Sequence, residues 1–577
     1  MKKIFYLALF VLCTFLLVSC DGTGGRTFTL KATSALCYRE KIEFTLVLSD
    51  PDEQLSKSSI KATISEEGSK TVKQTKTPSF TKSNDYTTTV SFTGLDPESE
   101  YTVEFYANYN GKKFVFENIS GNYTTTNEGT INNPYTISTY DELNTFVKGE
   151  PSGHFVLAND IDCGGKEINT FFQTAFTGTF SGGDVDVDGD GKADGYTISN
   201  FIIATKEASD VEGEDPTLTY SSSRNQYNGI FGVIGEGAKV YNLNLANFQI
   251  YVSRDSARNT GTYAETRYYY GVLAGECSGE VENVDIIKAT VKDENDQEKD
   301  VVSSLNVKSE NKNRQVFKVG GLVGRLANQG RITNCDIELD INVEGAADVS
   351  VGGIAGTTRG TSLIKETVTE GENTKEVTIP NISQSTFKGN INVNLSGAST
   401  FDKEEADNHV AIGGLVGKNS ASIISDCTAD VAIKLVSKFT TNNGQSIFVG
   451  GLVGKNMSDN SKLDTCTATA SFDVETTDIP TEKEEINIYI GYFAGRNGGD
   501  DYESKASIVD CTFESKGENK LTVANDSIKY TFDVVGSEMT GTTVEGSTIP
   551  TPAPTINVQL TGSSESEPSD DTTEELE

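Results

Sequence analysis

The chain has 577 residues and a formal net charge of −36, from 84 acidic against 48 basic side chains. A surface this acidic repels nucleic acid and anionic lipid headgroups, which argues against both as partners. Its two histidines, His154 and His409, lie in no metal-ligand spacing, and with no tryptophan only Tyr and Phe can build a sugar-stacking platform. Abundant glycine, with many Thr, Ser, Asn and Val, favours an all-β chain with many turns.

At the N-terminus, Lys2 and Lys3 precede an apolar run from Ile4 to Val18. That run has the length of a signal-peptide core and is too short to span a bilayer as a helix. It closes on LVSC at 17–20, which resembles the lipobox of bacterial lipoproteins. The resemblance implies cleavage before Cys20 and acylation of that cysteine, leaving a mature chain of about −38 once the two lysines are gone. An ordinary secretory signal with a chance cysteine is the alternative; cysteine at the cleavage point, after small Ser19, favours the lipobox. Two or more acyl chains hold a protein to a membrane where one does not. Residues 1–19 are therefore expected to be a lipoprotein signal peptide and 20–26 a lipidated flexible tether. The expected location is the cell envelope, at the outer membrane or cell surface.

Residues 27–127 alternate with period two, as half-buried strands do. Ile42, Phe44, Leu46 and Leu48 share one face, as do Tyr101, Val103, Phe105, Ala107 and Tyr109. The segment LDPESEYTVEF at 95–105 resembles the E–F corner of fibronectin type III domains, in which a tyrosine hydroxyl ties the corner back to the backbone. The usual core tryptophan is missing, so an Ig-like β-sandwich acting as a spacer is the expectation. Beyond it, Thr139 and Glu142 fit a capping box, and Leu143, Phe146 and Val147 form one stripe. This places a short helix near 140–148, where a solenoid needs its end covered.

A glycine-bracketed apolar tetrad then recurs, as GIFG at 229–232, GVLAG at 271–275, GGLVG at 320–324, GGIAG at 352–356, GGLVG at 413–417 and 450–454, and GYFAG at 491–495. About ten residues later comes a second signature: VYNLNL, VENVDI, ITNCDI, IISDCT, LDTCTA and IVDCTF. After GGIAG its nearest counterpart, at Ile382, follows a charged insertion. These residues resemble the GLUG motif of bacterial surface proteins, which implies a right-handed parallel β-helix; here it would span 130–545. Stacked rungs bury a continuous core that no single rung can. Uneven spacing implies polar loops at 204–226, 253–267, 293–315, 358–380 and 473–485, the natural place for recognition. From 546 to 577 the chain is Pro/Thr-rich and then acidic, and a disordered tail is expected.

One local motif suggests a cofactor. Asp186, Asp188, Asp190 and Asp194, with Gly191 at the sharp turn and Lys192 offering its carbonyl, match a calcium loop. Thr197 stands where a full EF-hand has glutamate, so the loop resembles the shorter D-x-D-x-D-G-x-x-D loops of extracellular proteins, and Asp184 is a further candidate ligand. The alternative is a solvated acidic turn. Structural Ca²⁺ is the expected cofactor. Cys335, Cys427, Cys466 and Cys511 share one repeat position with Leu243 and Val284, which favours free core thiols over a disulfide between stacked neighbours.

No nucleophile elbow, P-loop or zinc spacing is present, and a chain this rich in carboxylates singles out no pair, so no enzyme is expected. The expected function is adhesion or ligand binding by a surface-exposed lipoprotein, through loops of the β-helix. Its partners would be the membrane, through lipid on Cys20, and a host protein or glycan. A polysaccharide-active enzyme and a passive coat or scaffold protein are the alternatives.

Overall fold

The computed structural model describes residues 26–560 apart from 83–85, 169–174, 187–192, 204, 207–217, 220, 223–226, 255–265, 293–296, 310–314, 346–347, 361–362, 371–372, 396–409, 439–445, 478–486, 500–504, 525–527 and 540–541. Cys20 and the acidic segment 561–577 lie outside these residues. The chain divides into two units, one ending at Glu128 and the other beginning at Gly129.

The first unit is two antiparallel sheets around one core. Thr29–Cys37, Lys41–Ser49, Tyr86–Thr93 and Thr81–Lys82 lie side by side in that order. Gln74–Lys76, Ile60–Glu66 and Glu100–Tyr109 form the other sheet, and Lys112–Val115 and Gly121–Thr124 both pair with the last of these. The alternation in sequence becomes alternation in burial: Ile42, Phe44, Leu46 and Leu48 from one sheet are closed off from solvent, as are Val103, Phe105 and Ala107 from the other. The Tyr101 hydroxyl accepts the backbone amide of Asp96 at 2.8 Å, five residues upstream, which is the corner tie read from the sequence. Lys73 donates to the Asp96 carboxylate at 2.9 Å and the Tyr101 hydroxyl donates to it at 3.1 Å, which holds the carboxyl below its usual range.

The second unit is a parallel solenoid. Its tetrads stack in register, Gly271 on Gly320, then Gly352, Gly413, Gly450 and Gly491. Six of the seven tetrads join two short strands through a two-residue bend, and the last lies within the continuous strand Asn487–Asn497, so the stack makes two parallel ladders, one before the bend and one after it. The ladders meet backbone to backbone. A Cβ on Gly417 would lie 2.5 Å from the Val351 nitrogen, and one on Gly454 2.5 Å from the Ile412 nitrogen, nearer than atoms can approach. Only glycine fits there.

The second signature forms the large sheet of 23 strands. Val240, Val281, Ile332, Ile382, Ile424, Leu463 and Ile508 make one buried column, so the displaced copy at Ile382 keeps its rung. The polar residue two positions on turns the corner with positive φ: Asn242, Asn283, Asn334, Gln384, Asp426, Thr465 and Asp510, all between 50° and 54°. Asn and Asp tolerate this left-handed backbone best, and β-branched Thr465 carries the largest steric cost. Deeper in the core, Thr358, Asn419, Asn456 and Asn497 bond side chain to side chain at 2.7, 2.9 and 2.9 Å, satisfying polar groups that no water reaches.

At the start of the solenoid, Tyr140–Gly149 is helical, and Thr139 and Glu142 form both bonds of the capping box. Two expectations need correction. The side insertions are not plain loops: Ala289–Lys292 pairs antiparallel with Glu298–Val301, and Ile364–Glu370 with Asn373–Ile379. Alternating β-branched residues in KETVTE and TKEVTI allow these hairpins, and the high polarity of both segments hid them. The structured region also runs past 545. Ile556–Leu560 adds a parallel strand on Asn519–Val523, because Ile556, Val558 and Leu560 alternate with polar residues as a sheet edge requires.

Candidate functional site

The two ladders of the tetrads form two facing walls that pack together, with Lys318, Ser350, Phe448 and Lys455 closed off from solvent. One wall carries, in register, Tyr227, Tyr269, Lys318, Ser350, Ala411, Phe448 and Tyr489. The other carries Glu276, Arg325, Thr357, Lys418, Lys455 and Arg496. Contacts between the walls show that they face each other. Arg325 donates to the Tyr269 hydroxyl at 2.9 Å and the Tyr227 hydroxyl at 3.1 Å, pairs with Glu276, and lies 4.4 Å over the Tyr269 ring. Lys455 lies 4.9 Å over Phe448. Tyr227 stacks on Tyr269 and Phe448 on Tyr489, each pair with centroids 5.2 Å apart. Burial opposes the charge on Arg325, but Glu276 and the two phenols more than offset it, and its pKa is raised.

The proposed calcium loop sits beside the large sheet. Asp188, Asp190 and Lys192 lie outside the described residues, while Asp186 is exposed and Asp194 half-buried. The loop is closed at its neck, where the amides of Asp194 and Gly195 donate to the Val185 carbonyl at 2.8 and 3.2 Å. Asn244 holds the Asp194 carbonyl at 3.2 Å, Asn283 holds that of Ala193, and Asn242 reaches the Asp184 carboxylate at 3.4 Å. Among the described residues, no group of three His, Cys, Asp or Glu is placed to hold a metal.

This corner also contains a carboxyl that the sequence did not single out. Asp285 is largely buried, and burial, with Asp336 and Asp194 nearby, pushes it up to about 6 against the bond it accepts from the Asp336 amide at 2.7 Å. No sequence signal distinguishes it among 84 acids. The repeat cysteines are free and buried. Cys427, Cys466 and Cys511 stack on consecutive rungs, each thiol donating to the carbonyl two residues back at 3.1 to 3.4 Å. Hydrogen bonds among the stacked thiols, with burial, hold Cys466 and Cys511 well above the usual thiol range, and burial pushes Cys277 up to about 12. Such thiols are inert.

Comparison with known proteins gives two matches. Residues 408–434 match the GLUG motif, over one rung that includes the tetrad at 413–417. Among solved structures, the chain is similar to the Yersinia enterocolitica family 28 exopolygalacturonase, at 10% identity and a TM-score of 0.14, over 92% of this chain and 98% of that one. No curated protein matches. The expectation that the chain is not an enzyme is withdrawn, because the matched structure is an enzyme. The missing motifs were a poor ground for that expectation, since a carboxyl such as Asp285 is set apart by its surroundings and not by spacing. At this TM-score the likeness assigns no activity.

Asp285 makes stability depend on pH with a definite sign. Its folded value lies above the ordinary carboxylate value near 4, so its contribution is present below pH 4 and lost as pH rises through about 6. Relative to Asp285→Asn, the natural chain should lose roughly 2–3 kcal/mol between pH 4 and pH 7. Urea midpoints of both proteins at the two pH values measure this. An unchanged difference between them would mean that Asp285 is an ordinary exposed carboxylate.

Proposed function

We propose that this chain is a lipoprotein of the bacterial cell envelope, held by acyl chains on Cys20, that displays its solenoid at the cell surface for adhesion or ligand binding. The observation that carries the reading is LVSC at 17–20, closing an apolar leader ahead of a repeat solenoid. The GLUG rung and the in-register tetrads support a right-handed β-helix as the binding body. The two antiparallel sheets and the Tyr101 tie support an Ig-like, fibronectin type III-like spacer as the first unit. The hairpins at 289–301 and 364–379 give the solenoid ordered side elements, suited to contacting a host protein or a glycan.

Protease treatment of intact, unpermeabilised cells tests the display. The protein should be cleaved there, and Cys20→Ser should move it from the membrane fraction to the soluble fraction. Protection in intact cells, or unchanged fractionation of Cys20→Ser, contradicts the reading.

We further propose that Asp186, Asp188, Asp190, Asp194 and the Lys192 carbonyl hold a structural Ca²⁺. Support comes from the ligand spacing and from the closed neck at Val185. Terbium luminescence should report a site that Ca²⁺ displaces and that Asp190→Asn weakens. Equal terbium signals from both proteins remove the proposal.

A further inference from the structure

We propose that the last rung of the solenoid is a dimerisation surface, where the open edge of Lys529–Glu538 pairs antiparallel with the same strand of a second copy of this chain. The proposal goes beyond the display reading and stands whether or not the solenoid lies at the cell surface.

The first ground is that the core runs open at this end. Lys529–Glu538, Thr543–Glu545 and Ile556–Leu560 each pair with one strand of the preceding rung, and among the described residues no strand pairs with them on the far side. Inward columns end there without a cover. Val410, Ile447 and Ile488 are closed off from solvent, yet Tyr530, next in register, is 47% exposed. Val393, Leu435, Val474 and Leu521 are buried, and Val558 after them is 37% exposed. Leu560, in register with buried Val523, is 39% exposed. These side chains hold the place of core residues and lack only the rung that would cover them. An open strand edge with apolar side chains is a template for pairing with another chain.

The second ground is that the opposite end is shut. In the first strand, Tyr135–Ile137, both Tyr135 and Ile137 are closed off from solvent, and the helix Tyr140–Gly149 lies against it with Leu143 fully buried. That end offers the last rung of another copy no exposed core to meet, so head-to-tail growth has no seat. Association through a single open end is isologous: it joins the same surface of two copies and stops at two.

The third ground is the order of charges. Two-fold symmetry makes the strand pairing antiparallel. About the midpoint of the strand, Lys529 faces Glu538 of the second copy, Asp533 faces Val534, and Phe532 faces Val535. Opposite charges thus meet twice and no carboxylate meets another, whereas parallel pairing in register sets every charge against its like. Residues 561–577 are a poor occupant of this edge. They contain seven carboxylates and one large apolar residue, Leu576, and the three edge strands already carry three carboxylates against one lysine. The net charge of −36 on each copy opposes association, but at physiological salt screening confines that repulsion to about 8 Å.

The test is sedimentation velocity of the full chain, extracted in density-matched detergent, at physiological salt. The natural chain should sediment with the mass of two chains. Tyr530→Lys should weaken the dimer about tenfold or more, because it replaces an aromatic anchor with a charge that pairing must desolvate. Glu538→Lys sets lysine against Lys529 and should also weaken it, and Lys529→Glu combined with Glu538→Lys should restore it. Ile131→Lys, at an exposed residue ahead of the first strand of the solenoid, should dimerise as the natural chain does. Circular dichroism of each variant verifies the fold. A monomeric natural chain overturns the inference; if truncation after Leu560 then yields a dimer, the edge belongs to the chain's own tail. A dimer that folded Tyr530→Lys retains equally comes from the anchor or another surface, and that too overturns it. So does a double reversal that dimerises no better than Glu538→Lys alone.

Discussion

The solenoid depends on the backbone-to-backbone contact between its two tetrad ladders. Gly417 and Gly454 lie so close to the preceding rung that no side chain fits, and this contact recurs at each tetrad along the stack. It fixes the bend between the ladders and thereby sets their two walls opposite each other. In-register pairing then carries every outward residue onto the same column in the next rung, which turns single residues into ladders of aromatic rings, cations and amides. A change in register would disperse the Arg325–Arg496 column as surely as it would expose the core.

Much of this was legible in the sequence, because in a stacked repeat the local pattern and the tertiary contact coincide. The tetrad glycines recur in the sequence, and the structure puts backbone against them. That Asn, Gln, Asp and Thr at one position of the second signature turn a left-handed corner emerges only from the backbone. Cys, Leu and Val alternating at the following position indicated an inward apolar site, and the free, buried thiols occupy it. Thr139 with Glu142 announced the helix start, since a capping box is a four-residue pattern decided by local hydrogen bonds.

What the sequence concealed depends on neighbours distant in the chain. Arg325 meets Tyr227 across 98 residues, and nothing near either one announces the contact. Asp285 differs from other carboxyls only through burial and the charges stacked beside it. The pairing of Ile364–Glu370 with Asn373–Ile379, inside a segment expected to be a loop, was hidden by the high polarity of both strands, whose alternation is of β-branched Thr and Val rather than of strongly apolar residues. Ile556–Leu560 was taken for tail because it follows a Pro-rich stretch, although its alternation continues the sheet.

The most direct test of the glycine contact compares thermal unfolding of Gly417→Ala and Gly517→Ala by circular dichroism. A Cβ at Gly417 would lie 2.5 Å from the Val351 nitrogen and 2.6 Å from the Gly356 oxygen, whereas one at Gly517 meets nothing within 4 Å. The expected result is a loss of about 1–3 kcal/mol or more for Gly417→Ala, up to failure to fold, with Gly517→Ala close to the natural chain. Equal stability of Gly417→Ala and the natural chain would contradict the claim that this contact holds the solenoid.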